Sequence, residues 1–255
     1  MFVIILTSIL IALIFAPLSC LSLWKRYTYF SDGLAHASLL TGSISIVFVL
    51  PLIYSGVITA VLFAVIIFRF SSISDSNAVV NLTSNAMLAG ALMFASYNSS
   101  SININQLLFG DIVSSSKQDL IILFGIAIAA YCFIIFFFKQ IILIIISRDI
   151  ALIRKVKVKT IELLFLLLLA IGILFSIKIV GSLLVTNFLL APALTARLLA
   201  NSPKHMIILA TFFAVLANIF GLLLAFYSDL PVAPAIVATQ SFIYLIVYLL
   251  YKNKI

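Results

Sequence analysis

Residues 24–40 read WKRYTYFSDGLAHASLL and join the end of one apolar segment to the beginning of the next. An acid and an imidazole, Asp32 and His36, lie four residues apart within this stretch. If the stretch is helical, that spacing puts both side chains on one helix face, one turn apart. Ionisable groups are costly inside a membrane, so such a pair at the entrance of an apolar segment indicates a transport pathway or a partner.

Composition places the chain in the membrane. Of its 255 residues, 65% are hydrophobic and only 9% are charged, whereas soluble proteins carry roughly 25% charged residues. Its apolar blocks are long enough for helices that cross a bilayer, and they lack the strict alternation of a β-barrel. The sequence therefore predicts an all-α, polytopic membrane protein in which residues 1–255 form one transmembrane domain. The net charge of +8 is explained by basic loops beside a lipid bilayer and predicts no nucleic-acid partner.

Nine apolar segments can be read along the chain, which predicts about eight to nine transmembrane helices. The second or the seventh segment is the one expected to be merged or re-entrant. The nine segments are residues 2–23, 29–50, 53–70, 78–97, 120–138, 161–180, 182–200, 206–227 and 235–251.

The distribution of basic residues predicts the orientation of these segments. If the first segment runs inward from outside, all of the 15 Lys and Arg residues except Lys117 and Lys178 fall toward one side. Basic loops are retained in the cytoplasm. The N-terminus is therefore predicted outside the cell and the C-terminus inside it.

Four blocks of sequence, taken in order, resemble one protein family. They are WKRYTYFSDGLAHASLL at 24–40, LFGD at 108–111, VGSLLVTNFLLAPALTAR at 180–197 and YSDLPVAP at 227–234. Together they are similar to the membrane permeases of bacterial ABC importers for zinc, manganese or iron, and the zinc permeases are the most similar branch. The chain departs from the family pattern where Ser31, Thr41 and Ala233 stand at positions that are usually glycine. These departures affect helix packing and leave the chemistry-bearing residues in place.

The resemblance implies a permease of the type II ABC importer fold in the bacterial cytoplasmic (inner) membrane. It implies a homodimer that works with an ATP-binding ABC subunit and an extracytoplasmic metal-binding protein. The transported metal would be zinc, with manganese or iron as alternatives, and the chain itself would bind no cofactor. No Gly-x-x-x-x-Gly-Lys-[Ser/Thr] phosphate loop occurs in the sequence, so ATP hydrolysis is expected on the partner subunit.

Three other classes compete with this interpretation. An importer of the related cobalamin or siderophore type is usually longer and lacks the Ala-His pattern of residues 35 and 36. A secondary carrier or channel would need no ATPase. A membrane enzyme is disfavoured because the sequence contains neither a Gly-x-Ser-x-Gly elbow nor a His-Glu-x-x-His pair.

Asp32 and His36 are the candidate metal ligands. A carboxylate oxygen and an imidazole nitrogen both suit zinc, and a carboxylate also suits manganese. Two ligands from one chain form an incomplete site, which suits a cation that must leave again. Alternatively, Asp32 caps the second segment and His36 bonds to a neighbouring helix.

Residues 147–157 form a basic segment between the fifth and sixth apolar segments. The resemblance implies that this is the coupling segment that docks on the ATPase, with Ser147 as a possible helix cap. The alternative is a polybasic loop that touches anionic lipid. The residues predicted to couple are Ser147, Arg148, Asp149, Ile150, Ala151, Leu152 and Arg154.

The remaining candidates are single residues. Pro192 lies inside an apolar segment, where proline removes a backbone hydrogen bond, and it predicts a broken or tilted pathway helix or a simple kink. Asp111 and Asp229 fall on the outer side, as contacts of the metal-binding protein or as solvated acids. Glu162 and Lys178, near opposite ends of the sixth segment, receive no role from the sequence.

Overall fold

The computed structural model describes residues 2–71, 75–97, 110, 112, 115–182 and 184–252. Within these ranges the backbone forms eleven α-helices and no β-strand. In chain order they are α1 (Phe2–Trp24), α2 (Phe30–Ala37), α3 (Leu40–Phe48), α4 (Leu52–Phe70), α5 (Ser76–Tyr97), α6 (Lys117–Ile146), α7 (Arg148–Ile153), α8 (Val158–Val180), α9 (Val185–Leu199), α10 (Pro203–Tyr227) and α11 (Val232–Lys252).

All nine apolar segments are helical, but fewer helices are long and apolar enough to cross a membrane than predicted. Six qualify within the described residues, namely α1, α4, α6, α8, α10 and α11. The second segment is divided into α2 and α3, of 8 and 9 residues. The seventh is reduced to the 15 residues of α9, whereas about 20 are needed to span the hydrocarbon layer. The expected eight to nine full-length spans were therefore too many, and the second and seventh segments are two of those that fall short.

Serine residues begin three of the helices by accepting hydrogen bonds from backbone N–H groups that have no partner inside the helix. At α6 the capping is reciprocal: the Asp119 N–H donates to Ser116 Oγ at 3.2 Å, and the Ser116 N–H donates to Asp119 Oδ2 at 2.9 Å. Ser147 caps α7, and Ser202 caps α10 directly before a proline. These caps fix where the helices start after each turn.

Four helices are followed by the same kind of turn. Each turn contains one residue with positive φ, and these residues are Arg26 (60°), Val49 (52°), Lys155 (55°) and Asp229 (50°). In each case the next N–H donates back to a carbonyl five residues earlier, as from Tyr27 to Ser22 at 2.9 Å. This Schellman geometry satisfies carbonyl groups at the end of the helix. Such satisfaction matters where water is scarce.

Helix α1 lies at the centre of the described structure, packed against α6, α8, α9 and α10. Of an apolar 18-residue stretch of α1, 67% is buried, compared with 28% of the corresponding stretch of α11. On one side, small residues let α1, α9 and α10 approach closely, which is typical of helix contacts in membranes. This cluster comprises Ala12, Ala16, Cys20, Ala193, Ala196, Met206, Ala210 and Ala214.

The contact between α10 and α11 depends on Gly221. A Cβ atom at this position would lie 2.5 Å from Ile236 Cα and 3.0 Å from Ile236 N. Both atoms belong to the backbone of α11, so the two helices would have to separate to make room.

We therefore expect Gly221→Ala to lower the free energy of unfolding by about 1–3 kcal/mol, the usual cost of overpacking. Thermal unfolding of the purified protein in detergent measures this change. Gly125→Ala in α6 is the matched control, because its Cβ meets nothing within 4 Å. The control is expected to leave stability unchanged or to raise it by up to about 1 kcal/mol. Equal effects of the two variants would contradict the packing described here.

Gly110, from the LFGD block, packs on the turn between α8 and α9. Its φ is +64°, and a Cβ there would lie 2.3 Å from Gly181 N and 2.5 Å from Val180 C. Only glycine permits this approach of one backbone to another. Gly110 therefore lies against the backbone that follows α8, although the two are distant in sequence.

Candidate functional site

Helix α2 exposes only two of its eight residues. Asp32 and His36 are exposed, whereas the remaining six residues are buried. The helix begins at Phe30 and ends at Ala37, so the four-residue spacing puts both groups on one face. Because the rest of α2 is packed on all other sides, this face has a fixed direction.

Gly33 brings α2 against its neighbours. A Cβ at Gly33 would lie 2.7 Å from Val80 Cγ1 in α5 and 3.0 Å from Phe63 Cζ in α4. The absence of a side chain allows α2 to pack closely on α5. Phe30 and Phe63 complete this contact with ring centroids 5.2 Å apart.

A cavity of about 470 Å³ opens between α2 and α5. Asp32 and His36 line one wall, and polar residues of α5 line the other. The complete lining is Tyr29, Asp32, Gly33, His36, Asn77, Ala78, Val80, Asn81, Ser84 and Asn85.

The two predicted ligands have different surroundings. Asp32 Oδ1 accepts a hydrogen bond from Thr186 Oγ1 at 3.0 Å, across 154 residues of sequence. The N-cap of α2 is Tyr29, which makes no side-chain cap bond. Among the described residues, no hydrogen bond or ion pair is found for the His36 side chain. The carboxylate is thus held by α9, and the imidazole is accessible from the cavity.

One chain supplies an incomplete set of metal ligands at this place. Within the described ranges, no group of three or more His, Cys, Asp or Glu residues is close enough to hold a metal ion. As candidate ligands, Asp32 and His36 would supply two protein groups, whereas structural zinc sites use four. A cation held there would also need water or groups from elsewhere.

Polar groups also join the beginning of α9 to α11. Asn187 Nδ2 donates to Gln240 Oε1 at 3.3 Å and to the Val237 carbonyl at 3.4 Å. Pro192 is buried within α9, and the helix continues through it to Leu199. Of the predicted alternatives, a break at Pro192 is therefore absent, and a tilt or kink there stays a prediction. The chain turns before α9 at Gly181, where φ is 91°.

The predicted coupling residues form the short helix α7 and its two ends. Ser147 Oγ accepts from the Ile150 N–H at 3.4 Å, and the helix ends in the Schellman turn at Lys155. Ala151 is fully buried against the rest of the chain, whereas Ile150 and Leu152 are 44% and 55% exposed. The helix therefore presents apolar side chains outward among basic ones.

Glu162, which received no role from the sequence, joins α7 to the α1–α2 connection. Its Oε1 lies 2.6 Å from Lys25 Nζ, and its Oε2 lies 3.4 Å from Arg148 Nη2. The Glu162 side chain is only 17% exposed. One carboxylate thus pairs with a base in the α1–α2 connection and with the first residue of α7. In the sequence, Glu162 follows Lys155, Lys157 and Lys159 closely. A single acid beside these bases could have indicated an ion pair.

The other outer and unassigned residues are placed as follows. Lys178 Nζ pairs with Asp119 Oδ1 at 2.8 Å, which ties α8 to the start of α6. Asp229 is an exposed turn residue between α10 and α11. Asp111 lies outside the described residues.

The asparagines of α5 did not stand out in the sequence because they lie in or beside residues 78–97, which read as one apolar segment. Asn77, Asn81 and Asn85 recur every four residues, which puts them on one helix face. Repeated amides on one face of a membrane helix are a signal that residue spacing alone could have given.

Comparison with known proteins gives the family. The model of the ABC 3 transport family matches residues 1–251. The chain belongs to this family. The prediction of an all-α, polytopic membrane permease of an ABC transport system is thereby confirmed.

Two curated relatives and one solved structure are similar over nearly their whole length. The high-affinity zinc uptake system membrane protein ZnuB of Buchnera aphidicola (subsp. Acyrthosiphon pisum) is 32% identical, over 94% of each chain. The manganese import system permease protein ScaB of Streptococcus gordonii is 28% identical, over 94% of this chain and 87% of its own. The structure of PsaBC from Streptococcus pneumoniae in complex with Fab has a TM-score of 0.82 and 26% identity, covering 96% of this chain and 90% of that one. The chain thus shares its helix arrangement with the PsaBC structure.

Proposed function

We propose that the chain is the membrane-spanning permease subunit of an ATP-driven importer for a divalent transition metal, and that this metal is zinc. The observation that carries the proposal is the outward face of α2, where Asp32 and His36 enter a polar cavity. Relatives named as zinc-uptake and manganese-import permeases support it.

The ligand chemistry fits a cargo that passes through. Carboxylate oxygen and imidazole nitrogen are both zinc ligands, and two of them leave coordination positions for water. A complete cage would hold the ion, whereas incomplete ligation lets it leave when the pathway opens.

A second copy of the chain completes the pathway in this proposal. Exposed groups such as Asp32, His36 and Asn81 are costly against hydrocarbon. In a homodimer the same faces would surround a shared, water-filled passage and offer up to four ligands. Residues 1–255 then act as one permease domain, half of the pore.

Energy enters through the segment 147–157, which we assign as the coupling segment. Its helix α7 has exposed apolar residues flanked by arginines, a surface suited to a groove on an ATP-binding subunit. Basic loops put this side in the cytoplasm, with the N-terminus outside, in the cytoplasmic (inner) membrane. An extracytoplasmic metal-binding protein would deliver zinc to the opposite side.

The coupling assignment predicts the effect of Leu152→Asp. This side chain is 55% exposed, so the fold is expected to survive, whereas docking on the ATPase loses an apolar contact and gains an unpaired charge. We expect at least about a tenfold loss of co-purified ATPase, the loss that about 1.4 kcal/mol produces. Leu230→Asp, at the outer turn and 47% exposed, is the control. Equal recovery of ATPase with both variants would contradict the assignment.

The function itself is tested by uptake of radioactive zinc into cells that lack their own zinc importer. The chain is co-expressed with its ATPase and metal-binding protein, and unlabelled manganese or iron competes with zinc. Uptake that unlabelled zinc suppresses best supports the proposal. Manganese is the second candidate, because a manganese-import permease is among the relatives and carboxylate suits that ion. Stronger suppression by manganese would favour it, and absence of all metal uptake would overturn the proposal.

A further inference from the structure

The wall of the cavity opposite Asp32 and His36 is made by asparagine side chains of α5. We define the asparagine face as Asn77, Asn81 and Asn85, which lie one helical turn apart and all line the cavity. Ser84 lies beside them and also lines it. Within the described residues, the part of α5 from Asn77 to Asn85 thus presents neutral polar groups to the two ionisable groups of α2.

The contacts of these amides leave acceptor capacity free. Asn85 Nδ2 donates to Asn81 Oδ1 at 3.0 Å, so that oxygen uses one of its two acceptor positions. Asn77 Oδ1 is buried and has no hydrogen-bond partner among the described residues. Asn81 and Asn85 are exposed. The amide oxygens of Asn81 and Asn85, which lie on consecutive turns, can therefore accept from water or approach a cation.

These groups are unsuited to a lipid-facing position. An amide transferred to an apolar environment without a hydrogen bond is strongly disfavoured, and this face repeats the group three times. The cavity beside the asparagine face has a volume of about 470 Å³. One water molecule needs only about 10–15 Å³ of cavity volume, so the cavity has room for several. A hydrated passage satisfies the amides, whereas hydrocarbon does not.

We propose that the asparagine face is the second wall of the metal path and conducts a partly hydrated divalent cation past Asp32 and His36. Amide oxygens are hard, neutral donors. They bind the cation or its water weakly, and they add no charge that would retain it. Selection by imidazole and carboxylate then occurs on α2, while α5 provides successive exchange positions. This inference rests on the proposed function and adds the form in which the cargo moves.

Because the asparagine face is polar but neutral, the inference can be tested by substitutions that either remove its polarity or add a charge. Asn81→Leu removes the amide without adding a charge, and it should slow entry and passage. Asn81→Asp adds a charge, and it should tighten zinc binding while slowing release. Asn81→Ser retains a small polar group that can contact the cation through a bound water molecule, and this variant should keep most of the transport. A purely structural role would not produce tighter binding with slower transport in the Asp variant.

The experiment measures zinc uptake into vesicles that contain the chain with its partner ATPase, together with zinc binding by calorimetry. Asn81→Leu is expected to lower the initial uptake rate by about tenfold, the effect of about 1.4 kcal/mol on a barrier, with ATPase assembly unchanged. Asn85→Leu should act in the same direction. Thr83→Val is the matched control: Thr83 is on α5 but is not among the residues that line the cavity, and this variant should transport like wild type.

The outcomes separate this inference from the function on which it rests. If wild type transports zinc and Asn81→Leu transports at the same rate, the role of the asparagine face is overturned while the proposed function stands. The same holds if Asn81→Ser is as impaired as Asn81→Leu. If wild type itself moves no zinc with the ATPase and ATP, both are overturned.

Discussion

Replacing Asp32 by Asn, or His36 by Gln, is expected to lower zinc uptake by at least about a hundredfold. Removing a partner that only supports a metal ligand already reduces affinity or activity by 10–100-fold, and these substitutions change the proposed ligands themselves. Both side chains are exposed while the rest of α2 is buried. The variants should therefore keep the wild-type unfolding temperature and still bind the ATPase.

His205→Gln is the matched control, because His205 is the other histidine of the chain and lies at the start of α10, away from the cavity. It should take up zinc like wild type. Thr186→Val is expected to give an intermediate loss, since it removes only the hydrogen bond to Asp32. Normal uptake by both the Asp32 and His36 variants would remove these residues from the metal path.

Replacing Glu162 by Gln is expected to separate ATP hydrolysis from transport. The Glu162 carboxylate pairs with Lys25 before α2 and with Arg148 in α7. It therefore connects the proposed ATPase docking helix to the segment that carries Asp32 and His36. A neutral amide retains the shape but weakens both ion pairs. Coupling free energies of about 1–3 kcal/mol correspond to changes of about 5–150-fold, so we expect the zinc imported per ATP hydrolysed to fall within that range.

The measurement is made in vesicles, with uptake and phosphate release followed in the same sample. Lys178→Gln is the control, because it breaks the ion pair with Asp119, which lies away from α7. The control should change stability more than coupling. If Glu162→Gln imports the same amount of zinc per ATP as wild type, the carboxylate does not transmit movement between α7 and α2.

The candidate pair on α2 could be predicted from the sequence because local spacing decides it. The four-residue spacing of Asp32 and His36 places them on one face of any helix, whatever surrounds it. Their partners could not be predicted in the same way. The hydrogen bond from Thr186 spans 154 residues, and the approach of α5 depends on the missing side chain at Gly33. Those contacts are properties of packing, which hydropathy does not report.

The helix boundaries likewise could be predicted from the sequence only in part. Hydropathy located all nine apolar segments, but it did not reveal that α2 and α3 divide the second one near Ser38. The proline at residue 192 left a break, a tilt or a kink open, and α9 continues through it. The chain instead turns before α9 at Gly181, and a side chain at Gly110 would collide with the backbone of that turn. Glu162 was left without a role because its two bases come from separate parts of the chain.

The central claim is that this chain forms half of a passage and depends on another protein for energy. The most direct test compares zinc accumulation against a gradient in vesicles that contain the purified chain alone and in vesicles that also contain the ATPase and ATP. We expect uphill accumulation only in the second preparation, and its loss when ATP is withheld. Uphill accumulation by the chain alone would contradict the account.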